Sequence, residues 1–307
     1  MKRISVFDAH CDTISRIRYK SEGLFQNTGM VELEKTSKVF KRYCQFFALF
    51  TDIKWPGHST YDQQLAYFRQ QMTECSEYVI HCRNKGEAQS ANEQGKAAAF
   101  LTVEGAELLD CSLQQLEKAA EDGVVAINLT WNHANEVSGS CRENSDQGLS
   151  AHGRDFVRRM QELDILVDVS HLSDRGFWDV IELSEKPIIA SHSNARSICN
   201  HARNLTDEQI TAIIKNQGVI GLNFYRDFIG GDFDFDAVRR HLDRILDLGG
   251  AKQAALGGDW DGCDTIEKLP NITGLKDLYE YLLGRGYDEN LLCDVYYNNL
   301  MRVVRER

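Results

Sequence analysis

The sequence predicts an α/β fold, a (β/α)8 TIM-like barrel, and three observations carry the prediction. Eight short apolar runs recur along the 307 residues. Longer stretches with apolar residues at three- and four-residue steps lie between them, as amphipathic helices require. Polar residues collect immediately after the runs end. Strict alternation of strand and helix implies parallel strands, and several runs are almost wholly apolar, as strands covered on both faces must be. Eight such units can close into a barrel, whose strand ends gather on one face. An open doubly wound sheet is the main rival, but its Gly-rich first turn is missing, because DAHCDT follows the first run.

The strand-like runs are residues 4–9, 44–50, 97–103, 124–129, 165–169, 187–190, 219–224 and 254–257. Helical periodicity marks 61–84, 113–122, 153–163, 174–184, 207–216 and 235–248 between them. Thr206, followed by acidic Asp207 and Glu208, reads as the start of one such helix. Stretches 275–283 and 290–304 would close the chain as helices. There is no repeat, no low-complexity segment and no linker rich in Pro, Gly or Ser. One barrel domain over 1–307, with C-terminal helices from about 274, accounts for the whole sequence.

Composition narrows the function classes. Hydrophobic residues make up 42% and charged residues 26%, and the formal net charge is −11. A strong acidic balance argues against nucleic acid as a partner, since phosphate binding needs a surplus of Lys and Arg. The apolar run after MKR is too short for a secretory segment, and no run approaches membrane-spanning length. Nine scattered cysteines without a CxxC pair fit reduced, buried thiols. The expectation is a cytoplasmic protein with no membrane partner.

Candidate chemistry sits where the runs end. His10 and Asp12 follow the first run; two residues apart in extended chain, they point the same way and can grip one cation. His171 and His192 end adjacent runs, and imidazole nitrogen is a usual ligand for zinc and related ions. Glu104 follows a buried apolar run, where an unpaired carboxylate is costly; a salt bridge to a barrel Lys or Arg or a bridge between two cations would satisfy it. Asp259, in GGDWDG at the end of the last run, is placed to shuttle protons for a metal-bound water. Arg203 could clamp a substrate carboxylate, although spacing alone favours an ion pair with Asp207 or Glu208. Asp261 could share the role of Asp259 or hold the loop, Glu107 lies one helical turn beyond Glu104 in a supporting place, His152 reads as a helix start, and His58, His81, His201 and His241 carry no assigned chemistry.

The motifs DAHCDT, LTVEGAE, GLSAHGRDFVRRMQELDILVDVSHLSD, PIIASHSNAR, RNLTDEQI, GVIGLNFY and GGDWDG follow one another as in the membrane dipeptidase (renal dipeptidase) family of zinc peptidases. The chain resembles that family over nearly its whole length and looks like a soluble microbial-type member. The resemblance implies a barrel with a dinuclear site at its C-terminal face and two divalent ions, most simply Zn2+. His10 and Asp12 would bind one, His171 and His192 the other, and Glu104 both. It further implies small dipeptide substrates cleaved by a metal-bridging hydroxide, Asp259 as acid/base, Arg203 on the substrate's terminal carboxylate, Tyr225 lining the pocket, and a homodimer. One departure stands out. The family's strand-four motif often carries His after LT, whereas LTWNHANE puts Trp131 there and His133 two residues later. His133 would then contact the substrate from a shifted loop, or the contact is lost. The alternative is another amide or lactone hydrolase, or a deaminase, on the same scaffold.

Overall fold

A computed structural model describes residues 3–54 and 57–306. Among them nine parallel strands form one sheet: β1 Ile4–Cys11, β2 Phe40–Phe50, β3 Val79–His81, β4 Ala97–Glu104, β5 Val124–Asn128, β6 Leu166–Asp168, β7 Ile189–Ala190, β8 Val219–Leu222 and β9 Ala254–Leu256. Eight of them close the ring β1-β2-β4-β5-β6-β7-β8-β9, with β9 returning to β1. The protein is therefore a (β/α)8 TIM-like barrel, and each predicted run contributes one strand to it.

The ninth strand corrects the sequence reading. The stretch 61–84, read as one helix, is a helix Tyr61–Glu74 followed by a turn and β3. Here β3 pairs with Ala97–Ala99 of β4, while β5 pairs with Leu101–Glu104. Since β2 takes the other edge of β4, β3 fills the lower part of the edge that β5 leaves open. Helices Thr13–Lys20, Leu33–Val39 and Lys85–Glu93 were also outside the sequence reading. The Thr206 cap is realised as a full capping box, with Gln209 as the reciprocal partner.

The barrel interior is filled from below. Phe7, Phe46 and Phe100 are fully buried from three neighbouring strands. Phe7 stacks on Phe100 at 5.3 Å and meets Phe46 edge-on at 5.2 Å, both favourable aromatic geometries. Tyr297, Leu300, Met301 and Val304 of the C-terminal helical segment join this cluster. Arg302 fastens that segment by donating to the carbonyls of Gln217, Gly218 and Lys252, which precede β8 and β9. The N-terminal mouth is thereby plugged, and the polar strand ends open at the opposite one.

Candidate metal centre and substrate cleft

Two buried aspartates set the rim before any ligand residue is reached. Asp8 in β1 accepts from the backbone of His10 at 3.1 Å and of Gly258 at 2.9 Å, and from Gln45 and Trp260 side chains at 3.0 and 3.1 Å. It thus ties the end of β1 to the loop after β9, where Asp12 N also donates to Trp260 O at 2.8 Å. Asp168 in β6 accepts from the amides of Ser170 and Ser191, both at 3.0 Å, and joins β6 to β7. One tie gathers His10, Asp12 and Asp259; the other gathers His171 and His192.

Strand periodicity alone would not place His10. Phe7 faces the barrel core, so a residue three positions on should face outward. A register irregularity between Asp8 and Cys11 resets the alternation, and His10 turns to the centre. His171 and Asp259 reach it from left-handed backbone, at φ 70° and 58°. Non-glycine residues pay for that conformation, and such strain concentrates where function holds it.

The five sequence-predicted ligands converge. Glu104 spreads its two oxygens: Oε1 lies 3.0 Å from His171 Nε2 and 3.5 Å from His192 Nε2, and Oε2 lies 3.7 Å from His10 Nε2. No Lys or Arg pairs with it among the described residues. His10 Nε2 is also 3.3 Å from Asp12 Oδ2 and 4.0 Å from Asp259 Oδ1. Two overlapping donor groups result, one of His10, Glu104 and His192, the other of His10, Asp12 and Asp259.

These donors fit a pair of divalent cations. The Nε2 atoms of His171 and His192 face each other at 3.0 Å, close to the roughly 3.3 Å between two nitrogens on a tetrahedral zinc. Their far nitrogens are held, His171 Nδ1 by Asn132 Oδ1 at 3.1 Å and His192 Nδ1 by Ser191 Oγ at 2.7 Å, as second partners hold ligand imidazoles in metal sites. Asp12 Oδ1 is buried without a hydrogen-bond partner among the described residues. Gly262 is needed beneath the carboxylates, since a Cβ there would come within 2.1 Å of Asp12 Oδ2 and 2.6 Å of Asp259 Oδ1.

The electrostatics agree. Burial, then the positive charges of Arg203 and His10, keep His171 and His192 well below the usual histidine range, so both are neutral donors. Burial also disfavours a charged His10, but Glu104 and then Asp12 outweigh it and hold the imidazole up at about 10. Burial and the charge of Asp12 push Glu104 up. Three carboxylates, Asp12, Glu104 and Asp259, crowd around His10, a donor set to which divalent cations would bring the balancing charge.

The other candidates surround this centre. Asp259 is pushed up by burial, against the pull of His10, and its Oδ2 accepts from Asn223 Nδ2 at 3.0 Å. Arg203 is 3% exposed and has no carboxylate partner among the described residues; Asp207 instead pairs with Arg244. Arg203 donates to Ser193 Oγ and His192 O at 3.3 and 3.1 Å, and its Nε has no hydrogen-bond partner among the described residues. Its guanidinium lies 5.3 Å from the Phe228 ring, on which Tyr225 packs edge-on at 4.7 Å. His133 sits apart from the imidazole cluster. Its ring is held by Glu143 at 3.0 Å and lies 3.6 Å from Asp52, and Trp131 contacts both His133 and His171.

Sequence reasoning missed the residues that orient the cluster: Asp8, Asp168, Ser191, Asn223 and Gly262. Only Asp8 and Asp168 left a signal, as lone carboxylates inside otherwise apolar strands (VFDAH and LVDVSH).

A barrel with imidazoles and carboxylates converging at its C-terminal face is the architecture of a metal-dependent hydrolase. The model of the membrane dipeptidase family (peptidase family M19) matches residues 1–307, and the chain belongs to that family. The metallopeptidase of Rhodobacter sphaeroides, solved with a phosphinate mimic of the dipeptide L-Ala-D-Ala, is similar at 26% identity and TM-score 0.86, covering 98% of this chain and 99% of that one. The dipeptidase AC, a metallopeptidase of the same family, is similar at 27% identity and TM-score 0.87, covering 98% of each chain. A Klebsiella pneumoniae protein encoded in the pqqA 5′ region, itself uncharacterised, is 32% identical over 266 residues, which are 83% of this chain and 96% of that protein. The protein is a metalloenzyme of the dipeptide-hydrolysing class. No helix among the described residues is long and apolar enough to cross a membrane.

Proposed function

We propose that the protein hydrolyses the peptide bond of free dipeptides with two divalent ions held in one barrel domain. His10 and Asp12 would hold one ion, His171 and His192 the other, and Glu104 both. The observation that carries this reading is the split of Glu104, one oxygen toward His10 and the other toward His171 and His192. When bound, the ions, zinc by ligand type, would activate a water as the hydroxide nucleophile near neutral pH and would polarise the scissile carbonyl. Asp259 takes the proton released from the attacking water and passes it to the leaving amine; its raised proton affinity suits that transfer, and Asn223 fixes one of its oxygens. Arg203, buried and short of a counter-charge, binds the terminal carboxylate and turns binding energy into alignment. Tyr225 and Phe228 wall that end of the cleft, and His133 stands at its rim.

The test joins metal content to turnover. Wild type and Asp259→Asn should both carry about two ions per chain, while kcat on dipeptides falls by roughly 10²–10⁴ in the variant. C-terminal amidation of the substrate should raise KM in wild type and have little effect in Arg203→Ala. One ion per chain, or equal turnover of amidated and free dipeptides by wild type, refutes the assignment.

A further inference from the structure

A second aromatic surface, apart from Tyr225 and Phe228, borders the cleft. Phe50 ends β2 and is the register partner of Glu104. Trp131 lies in the loop after β5, its ring 4.8 Å from Phe50 and 6.4 Å from His171. Both aromatics are only partly buried, beside a cluster whose other members are polar and closed in. The pair is also rigidly held. Trp131 N donates to Glu107 Oε1 at 3.4 Å, and Asn135 fixes the other Glu107 oxygen at 2.7 Å. Behind the wall, His133 bridges Asp52 and Glu143, and Lys54 reaches Glu143 at 3.3 Å, so the loop after β2 is fastened to the loop after β5. The local carboxylates are thus engaged by His133, Lys54, Asn135 and the Trp131 amide and leave the aromatic faces as the available surface.

Position in the ring says which part of a substrate meets that surface. Arg203 follows β7. In the order β1-β2-β4-β5-β6-β7-β8-β9, β2 lies directly across from β7, and β5 stands two places from each. A dipeptide whose carboxylate sits on Arg203 and whose scissile carbonyl sits beside Glu104 extends its N-terminal residue toward Phe50 and Trp131. We infer that Trp131 and Phe50 form the pocket for the side chain of the substrate's N-terminal residue, and that the enzyme prefers dipeptides beginning with a large apolar residue. The inference rests on the dipeptidase reading above and adds the substrate class to it. An indole face offers a broad, stiff apolar contact at small entropic cost, and an apolar pocket discriminates by side-chain size.

The test uses metal-loaded wild type, Trp131→Ala, Trp131→Phe and Phe50→Ala, with metal content measured for each. One series of dipeptides varies the first residue (Gly, Ala, Leu, Phe) before a fixed C-terminal Ala, and a mirrored series fixes the first residue and varies the second. Trp131→Ala should lose roughly tenfold or more in kcat/KM on Leu- and Phe-first substrates, mainly through KM, and less than about threefold on the Gly-first one. Trp131→Phe should recover most of that loss, and Phe50→Ala should show the same trend more weakly. Equal losses across the first series, or losses that follow the second residue instead, overturn the inference. If wild type cleaves no dipeptide, the underlying reading fails separately, and binding then decides the pocket. Phe-first dipeptides should perturb a fluorescence signal that Trp131→Phe abolishes, and Gly-first ones should not; no such difference also overturns it.

Discussion

The two ends of this barrel are built on opposite principles. At the N-terminal mouth, Phe7, Phe46 and Phe100 satisfy one another by contact alone, and the Tyr297 ring that joins them has its hydroxyl held by Asn92 Nδ2 at 3.2 Å. At the C-terminal mouth, equally buried side chains are unsatisfied. Asp12 Oδ1 and Arg203 Nε have no hydrogen-bond partner among the described residues, two imidazole nitrogens face each other, and His171 and Asp259 hold left-handed backbone. The close-packed end stabilises the fold; the frustrated end stores arrangements that only a cation and a substrate complete. Stability and function are therefore separable here, and substitutions at the two ends should separate them.

The sharpest break is Glu104→Gln. It keeps the shape and removes the charge that faces all three imidazoles, so metal content should fall below two ions per chain and kcat by roughly 10³-fold or more. A variant that keeps both ions and full turnover would erase the distinction between the two ends. The reverse experiment is Phe100→Ala at the packed end, where the lost contacts with Phe7 and Phe46 should cost about 3–5 kcal/mol of unfolding free energy. The surviving folded fraction should still bind metal and turn over with near-wild-type kcat, measured well below its melting temperature. A loss of kcat as large as that of Glu104→Gln would show that the two ends are coupled.

The packed end was legible in the sequence and the frustrated end only in part, for a physical reason. Apolar periodicity reports burial, so each barrel strand shows as a run, and residues just past a run are marked as rim residues by topology alone. That was enough to place His10, Asp12, Glu104, His171, His192 and Asp259 together. It could not show β3, because Val79–His81 is three residues long and continues the apolar spacing of the helix before it. Nor could it show orientation. His10 points inward because of a register irregularity, and His171 and Asp259 because of positive φ; neither has a compositional signature. His133 shows the same limit. Its place in the chain suggested the cleft, whereas Glu143 and Asp52, from two other stretches of chain, determine where its ring goes.

The smallest effect expected is a proton count, and it sharpens the contrast because the proton belongs to the frustrated end. In metal-free protein His10 is held at about 10 by the carboxylates around it, so at pH 7–8 it is an imidazolium standing in part for the missing cation. A metal ligand must be neutral imidazole, so loading should release about one proton from His10, with any proton that Glu104 retains adding to it. Titration calorimetry of metal-free protein in buffers of different ionisation enthalpy measures that number. The sign for stability follows from the same shift. The folded value lies above the unfolded value near 6.5, so His10 stabilises metal-free protein fully below about pH 6.5, and that contribution is lost as pH rises toward 10. Metal-loaded protein should lack this decline, because the ions replace the proton. A metal-free protein equally stable at pH 7 and pH 10, or metal uptake without proton release at pH 7.5, would mean that the rim carboxylates do not act on His10 as their distances imply.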